Sequence, residues 1–168
     1  MGLQFPSLLV TEKTFMGLPG YVTDLEAIYG APSQEGFGSA VFYEVLQPED
    51  DLNYAALRKY EFFVGDRWSE AYQNEWTLVY GRSIDATRAI VSELGSLSDN
   101  RAQDLAYLIT DNIDEAAAGQ RALAAAYDDP STIELTIHKI GDGDVMSGLV
   151  IAGRRANGEA TFLVFLID

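Results

Sequence analysis

Met146-Ser-Gly-Leu-Val-Ile-Ala-Gly153 and Ala160-Thr-Phe-Leu-Val-Phe-Leu-Ile167 are two near-continuous apolar runs joined through Ala156-Asn157-Gly158-Glu159. Asn-Gly is the strongest short-range signal for a two-residue type I′ hairpin turn, because both central positions need positive φ. With Asn157 and Gly158 as the loop, Ala156 faces Glu159. Counting back sets Gly153 opposite Phe162, Ile151 opposite Val164 and Leu149 opposite Leu166 on one face. The other face carries Ala152 with Leu163, Val150 with Phe165 and Gly148 with Ile167. A hairpin that is apolar on both sides must be covered on both sides, which puts it near the centre of a sheet with other elements above and below.

Upstream, Thr132 to Ile140 alternates cleanly and turns through Gly141-Asp-Gly-Asp144 into the hairpin. Ile133, Leu135 and Ile137 share one face; Glu134, Thr136 and His138 share the other, so this strand should be half-exposed and nearer an edge, with His138 facing solvent. Leu8 to Thr11 and Ala40 to Leu46 also read as strands, and Trp76 to Tyr80 as a strand stopped by Gly81. Phe62-Phe-Val64 suggests a strand before a turn at Gly65-Asp66, and Trp68 to Glu75 could be helical. Helical spacing marks Tyr21 to Ile28, Pro48 to Tyr60, Ile84 to Leu94 behind a Ser83 cap, and a run to Tyr127 capped by Ser98 or Asp99 and breakable near Asp111-Asn112. The resulting expectation is a single α+β domain over residues 1–168. Its sheet is mostly antiparallel, with a C-terminal three-stranded meander near its centre and helices packed on both faces.

Composition narrows the chemistry. A chain of 168 residues that is 48% hydrophobic is long enough and apolar enough to bury a core. The absence of cysteine removes disulfides, thiolate catalysis and Cys-ligated metals. Met1-Gly-Leu-Gln-Phe-Pro has no positive n-region and no stretch approaches the roughly 20 apolar residues of a membrane span, so a cytoplasmic location and no membrane partner are expected. The net charge of −15 repels phosphate backbones, which argues against nucleic acid as a partner. It suits a soluble surface, a basic protein partner drawn in by long-range attraction, or a nucleic-acid mimic; the acids are spread along the chain rather than concentrated.

No catalytic, metal or cofactor signature stands out. His138 is the only histidine, and its strand neighbours offer only Glu134 and Thr136 as partners for acid–base work. Gly141-Asp-Gly-Asp144 lacks the remaining oxygens of a calcium loop and reads as a turn. Gly36-Phe-Gly38 lacks the rest of a nucleotide-binding fingerprint. The informative stretch is 54–80, where Tyr54, Tyr60, Phe62, Phe63, Trp68, Tyr72, Trp76 and Tyr80 alternate with Glu61, Asp66, Glu70, Glu75, Arg58, Lys59 and Arg67. Aromatics with Arg are what interface centres are enriched in. Tyr60, Arg67, Trp68, Tyr72 and Trp76 are therefore the candidate binding residues of a non-enzymatic, acidic protein-binding domain. Two alternatives stand beside it. One is a small-molecule-binding protein or hydrolase with an aromatic-carboxylate cleft; the other is an acidic inhibitor or immunity-type protein of a nuclease or toxin.

Overall fold

The computed structural model describes residues 17–34, 36–65, 75–141 and 146–167. The strand expected at 8–11 and the turn at 142–144 lie outside them, as does most of the helix expected from Trp68. In chain order the elements are α1 (Gly20–Tyr29), β1 (Gly38–Val45), α2 (Leu52–Val64), β2 (Glu75–Gly81), α3 (Ile90–Gly95), α4 (Asn100–Thr110), α5 (Ala116–Tyr127), β3 (Thr132–Gly141), β4 (Ser147–Arg155) and β5 (Glu159–Ile167). All strand pairs are antiparallel and the sheet order is β1-β5-β4-β3-β2. The β3-β4-β5 meander thus occupies the middle of an α+β fold with helices on both faces.

β4 is buried along its whole length except Arg155. On one face Leu149, Ile151 and Leu163 pack with Leu135, Ile137 and Val41 beneath α1, α3, α4 and α5. On the other, Val150, Ala152, Phe162, Val164 and Leu166 pack beneath α2. Each fully buried aliphatic or Phe side chain stabilises by about 1.5–3 kcal/mol, so the two-sided hairpin is the main apolar store of the fold. Tyr127 at the end of α5 is also fully buried, its hydroxyl 3.2 Å from the Ile151 carbonyl and 3.3 Å from that of Thr161.

The hairpin turn differs from the Asn-Gly expectation. Asn157 keeps negative φ and only Gly158, at φ 94°, enters the left-handed region; Gly158 N–H donates to Arg155 O at 2.9 Å. This is a type I turn followed by a glycine bulge, a three-residue loop. The extra residue shifts the register by one, pairing Ile151 with Leu163 and Ala152 with Phe162. Such a slip exchanges the faces of every β5 side chain. The fold tolerates this because β5 is apolar on both.

Other elements also differ from the expectation. Phe62-Phe-Val64 is the last turn of α2 rather than a strand, since helix geometry buries Phe63 and Val64 under the sheet. That helix starts at Leu52, where the Asp51 carboxylate accepts from Tyr54 N–H at 2.9 Å; the residues from Pro48 form the preceding turn. Ser83 caps nothing, and only Ile90–Gly95 of the expected 84–94 helix is helical. Residues 82–89 instead run beside the start of β3, held by Arg82 N–H to Leu135 O at 3.0 Å and by the Arg88 guanidinium on Thr132 O at 3.1 Å. The break near Asp111 and the Asp99 cap, accepting from Ala102 N–H at 2.9 Å, appear as expected. Ile133 is exposed because a bulge between Thr132 and Glu134 turns it off the apolar face.

Candidate partner-binding surface

β2 carries the described end of the aromatic stretch. Glu75-Trp-Thr-Leu-Val-Tyr-Gly81 is rich in β-branched and aromatic residues and forms one edge of the sheet. Its alternation sends Trp76 and Leu78 to the α2 side, opposite Ile140 and His138. The half-buried Trp76 ring stacks on His138, with centroids 4.2 Å apart and planes at 10°, and on Tyr60 at 6.1 Å and 14°.

His138 is therefore not the solvent-facing residue that strand alternation suggested. It is 3% exposed, roofed by a ring from the neighbouring strand, and its Nδ1 has no hydrogen-bond partner among the described residues. Burial lowers its pKa to about 4, so the imidazole is neutral near pH 7 and serves packing. Tyr60 has no exposed surface and supports Trp76 from below rather than meeting a partner itself. Arg67, Trp68 and Tyr72 lie outside the described residues. Among the described residues of the stretch, the large apolar side chains that are exposed are Tyr54 and Phe62 on α2 and Leu78 on β2, the last 54% exposed. Sequence reasoning singled out the tryptophan and missed the leucine, since an isolated Leu between Thr and Val carries no sign of which side is covered.

Both ends of β2 are charged. At its start Lys139 Nζ lies 3.1 Å from Glu75 and 2.9 Å from Asp99. The hydrogen bond from Lys139 holds the Asp99 carboxyl below its usual range. Just past its end, the Arg82 guanidinium meets Glu93 at 2.6 Å, Asp128 at 2.9 Å and the Tyr127 carbonyl at 2.7 Å, while Tyr80 OH donates to Glu93. Burial raises the Glu93 pKa, but the Arg82 and Tyr80 hydrogen bonds outweigh it and leave it lowered. Asp128 lies 46 residues from Arg82 and 38 from Ile90, whose N–H it also accepts, so no local motif announces the cluster.

The same consumption of bases recurs elsewhere. Lys59 is held by Glu44 at 2.7 Å. Arg154 is held by the Asp50 and Gln47 carbonyls with Glu134 at 3.8 Å. Arg155 lies over the Tyr21 ring at 3.7 Å and donates to the Ala125 carbonyl at 2.8 Å. In contrast Asp24, Glu49, Asp85, Asp104, Asp114 and Glu115, on several elements, are exposed and form no salt bridge among the described residues.

Concave surface lies elsewhere. A cleft of about 250 Å³ at the start of α2 is lined by Glu44, Asp50, Asp51, Tyr54, Arg58 and Lys59, and one of about 420 Å³ beside the hairpin turn by Val45, Pro48, Ile133 and Arg154. Trp76 and His138 line neither. Among the described residues no group of three or more His, Asp or Glu side chains is placed to hold a metal, and no helix is long and apolar enough to cross a membrane. Comparison with protein-family models, curated proteins and solved structures finds no match.

Proposed function

We propose that the protein is a non-enzymatic binding module whose partner is a protein carrying basic residues. The observation that carries this reading is a surface on which Asp24, Glu49, Asp85, Asp104, Asp114 and Glu115 are exposed without a salt bridge among the described residues, while Lys59, Lys139, Arg82, Arg154 and Arg155 are each engaged by carboxylates, carbonyls or a ring of the same chain. The net charge of −15 stands with Arg58, Arg101 and Arg121 also exposed, and Tyr54, Phe62 and Leu78 offer exposed apolar surface as well. Such a surface attracts a basic partner from a distance and offers apolar anchors on contact. An inhibitor of a basic nuclease or toxin would be one member of this class. The small-molecule or hydrolase reading gains no support from the Trp76 region, where the only histidine is neutral, roofed and outside the clefts.

The test is affinity capture from a cell lysate on immobilised protein, with elution by a salt step and a Tyr54→Ala/Phe62→Ala/Leu78→Ala triple variant as the control. We expect basic proteins that leave with salt and are not retained by the variant. Retention of no specific protein, or of proteins indifferent to both salt and the substitutions, would contradict the proposal.

A further inference from the structure

The chain holds five asparagines, and the residue after each sets its chemistry: Tyr54 follows Asn53, Glu75 follows Asn74, Arg101 follows Asn100, Ile113 follows Asn112 and Gly158 follows Asn157. A backbone nitrogen attacks the side-chain carbonyl of a preceding asparagine only where its own residue leaves the approach open, and glycine, with no Cβ, leaves it most open. Asn157 therefore carries the most labile side-chain amide of the chain.

The fold sets the two reacting groups beside each other and restrains one of them. Asn157 is exposed at the tip of the β4–β5 hairpin, and its Oδ1 accepts from Glu159 N–H at 3.0 Å. That bond spans Gly158, so it folds the amide carbonyl back over the following peptide and draws electron density from Cγ. The nucleophile is held: Gly158 N–H donates to Arg155 O at 2.9 Å, and Gly158 O accepts from Leu46 N–H at 2.8 Å. Gly158 is itself buried, and a Cβ built on it would stand 2.5 Å from Leu46 O. The flanking residues are tied as well, with Ala156 N–H donating to Ser131 O at 2.8 Å and the Glu159 carboxylate accepting from Tyr21 OH. A glycine fastened at both its nitrogen and its oxygen cannot turn that nitrogen onto Cγ until the bond to Arg155 breaks.

We propose that Asn157 is a site of spontaneous deamidation gated by opening of the hairpin turn. Once the Arg155 bond is released, hydroxide takes the Gly158 amide proton and the nitrogen bonds to Asn157 Cγ. The side-chain nitrogen leaves as ammonia with a proton from water, which restores the hydroxide. Water then adds to one of the two carbonyls of the succinimide ring and breaks its C–N bond, giving aspartate from one carbonyl and isoaspartate from the other. One water enters, one ammonia leaves, and no further reactant is needed. Aspartate keeps the oxygen that accepts from Glu159 N–H, so the turn recloses. Isoaspartate adds a methylene to the main chain at a turn that already stands against Leu46 O, and the hairpin cannot regain its pairing there.

The experiment incubates the full chain at mildly alkaline pH with and without guanidinium chloride, and circular dichroism verifies the folded and unfolded states. Mass spectrometry of fragments covering each asparagine reads the conversion of amide to acid. We expect conversion at Asn157 to run at least about tenfold faster in the unfolded chain, because opening must precede attack in the fold, and to outpace the other four asparagines there. After the denaturant is removed, the isoaspartyl fraction should melt below the Asn157→Asp variant. Equal or faster conversion in the folded protein would overturn the gate. Faster conversion of another asparagine in the unfolded chain would overturn the assignment of the site. Equal melting of the isoaspartyl fraction and Asn157→Asp would overturn the claim that the turn rejects the longer backbone.

Discussion

On one face of the sheet α1, α3, α4 and α5 lay Leu25, Leu94, Leu105 and Leu123 over the strands, while on the other α2 is the one helix among the described residues and covers β1, β5 and β4. The corner of that second face, over β2 and β3, is closed instead by Trp76 lying on His138. Closure by aliphatic side chains is indifferent to pH. Closure over a buried imidazole holds only while that imidazole stays neutral. The ionic groups follow a corresponding division: Arg82, Glu93 and Asp128 fasten β2 to the many-helix side, whereas the rings of Tyr60, Trp76 and His138 fasten it to the other.

The comparison can be broken most forcefully through β5, whose adjacent residues serve opposite faces. Phe162→Ala on the α2 side and Leu163→Ala on the many-helix side should each cost about 3–5 kcal/mol in urea unfolding, because both sites are closed and leave a cavity. A cost under about 1 kcal/mol at either would mean that its face is not sealed. Arg82→Ala removes the base from between Glu93 and Asp128 and should cost about 3 kcal/mol by thermal or urea unfolding, since it strands a largely buried carboxylate. A neutral result would show that the cluster opens to water.

The pH response sharpens the contrast. The folded pKa of His138, about 4, lies below its ordinary value of 6.5, so the folded state disfavours the proton that the unfolded chain accepts. The stability held by the neutral ring is complete above pH 6.5 and is lost as pH falls toward 4. Between pH 6.5 and 4.5 this should amount to about 2 kcal/mol. His138→Phe, which keeps a ring under Trp76, should abolish that part of the pH dependence. An unchanged slope would place the titration elsewhere. The smallest effect is expected at Asp51→Ala, about 1 kcal/mol from the lost α2 cap, with the many-helix face unaffected in hydrogen exchange.

Much of this architecture was legible in local pattern. The apolar runs of β4 and β5, the strand at 132–140 and the Asp99 cap each carry their own signature and appear in the fold, though the faces expected within that strand do not. What escaped depended on partners far along the chain. His138 looks exposed until Trp76 is brought across from β2. Residues 84–89 look helical until Arg82 and Arg88 are drawn to the start of β3. Phe62 to Val64 look like a strand until a sheet is present for the last turn of α2 to bury Phe63 and Val64 against. The hairpin turn was misread for a local reason: Asn157-Gly158 serves a two-residue and a three-residue loop alike, and only φ at Asn157 separates them. Of the expected binding residues, Trp76 sits at the surface over a buried pair, and Tyr60 is wholly beneath it.

Native-state hydrogen exchange across the sheet tests the central claim most directly, namely that both faces of the hairpin are sealed. Amides of β4 and β5 should exchange only through global unfolding. Fast exchange within Leu149–Ile151 or Phe162–Leu166 would contradict it.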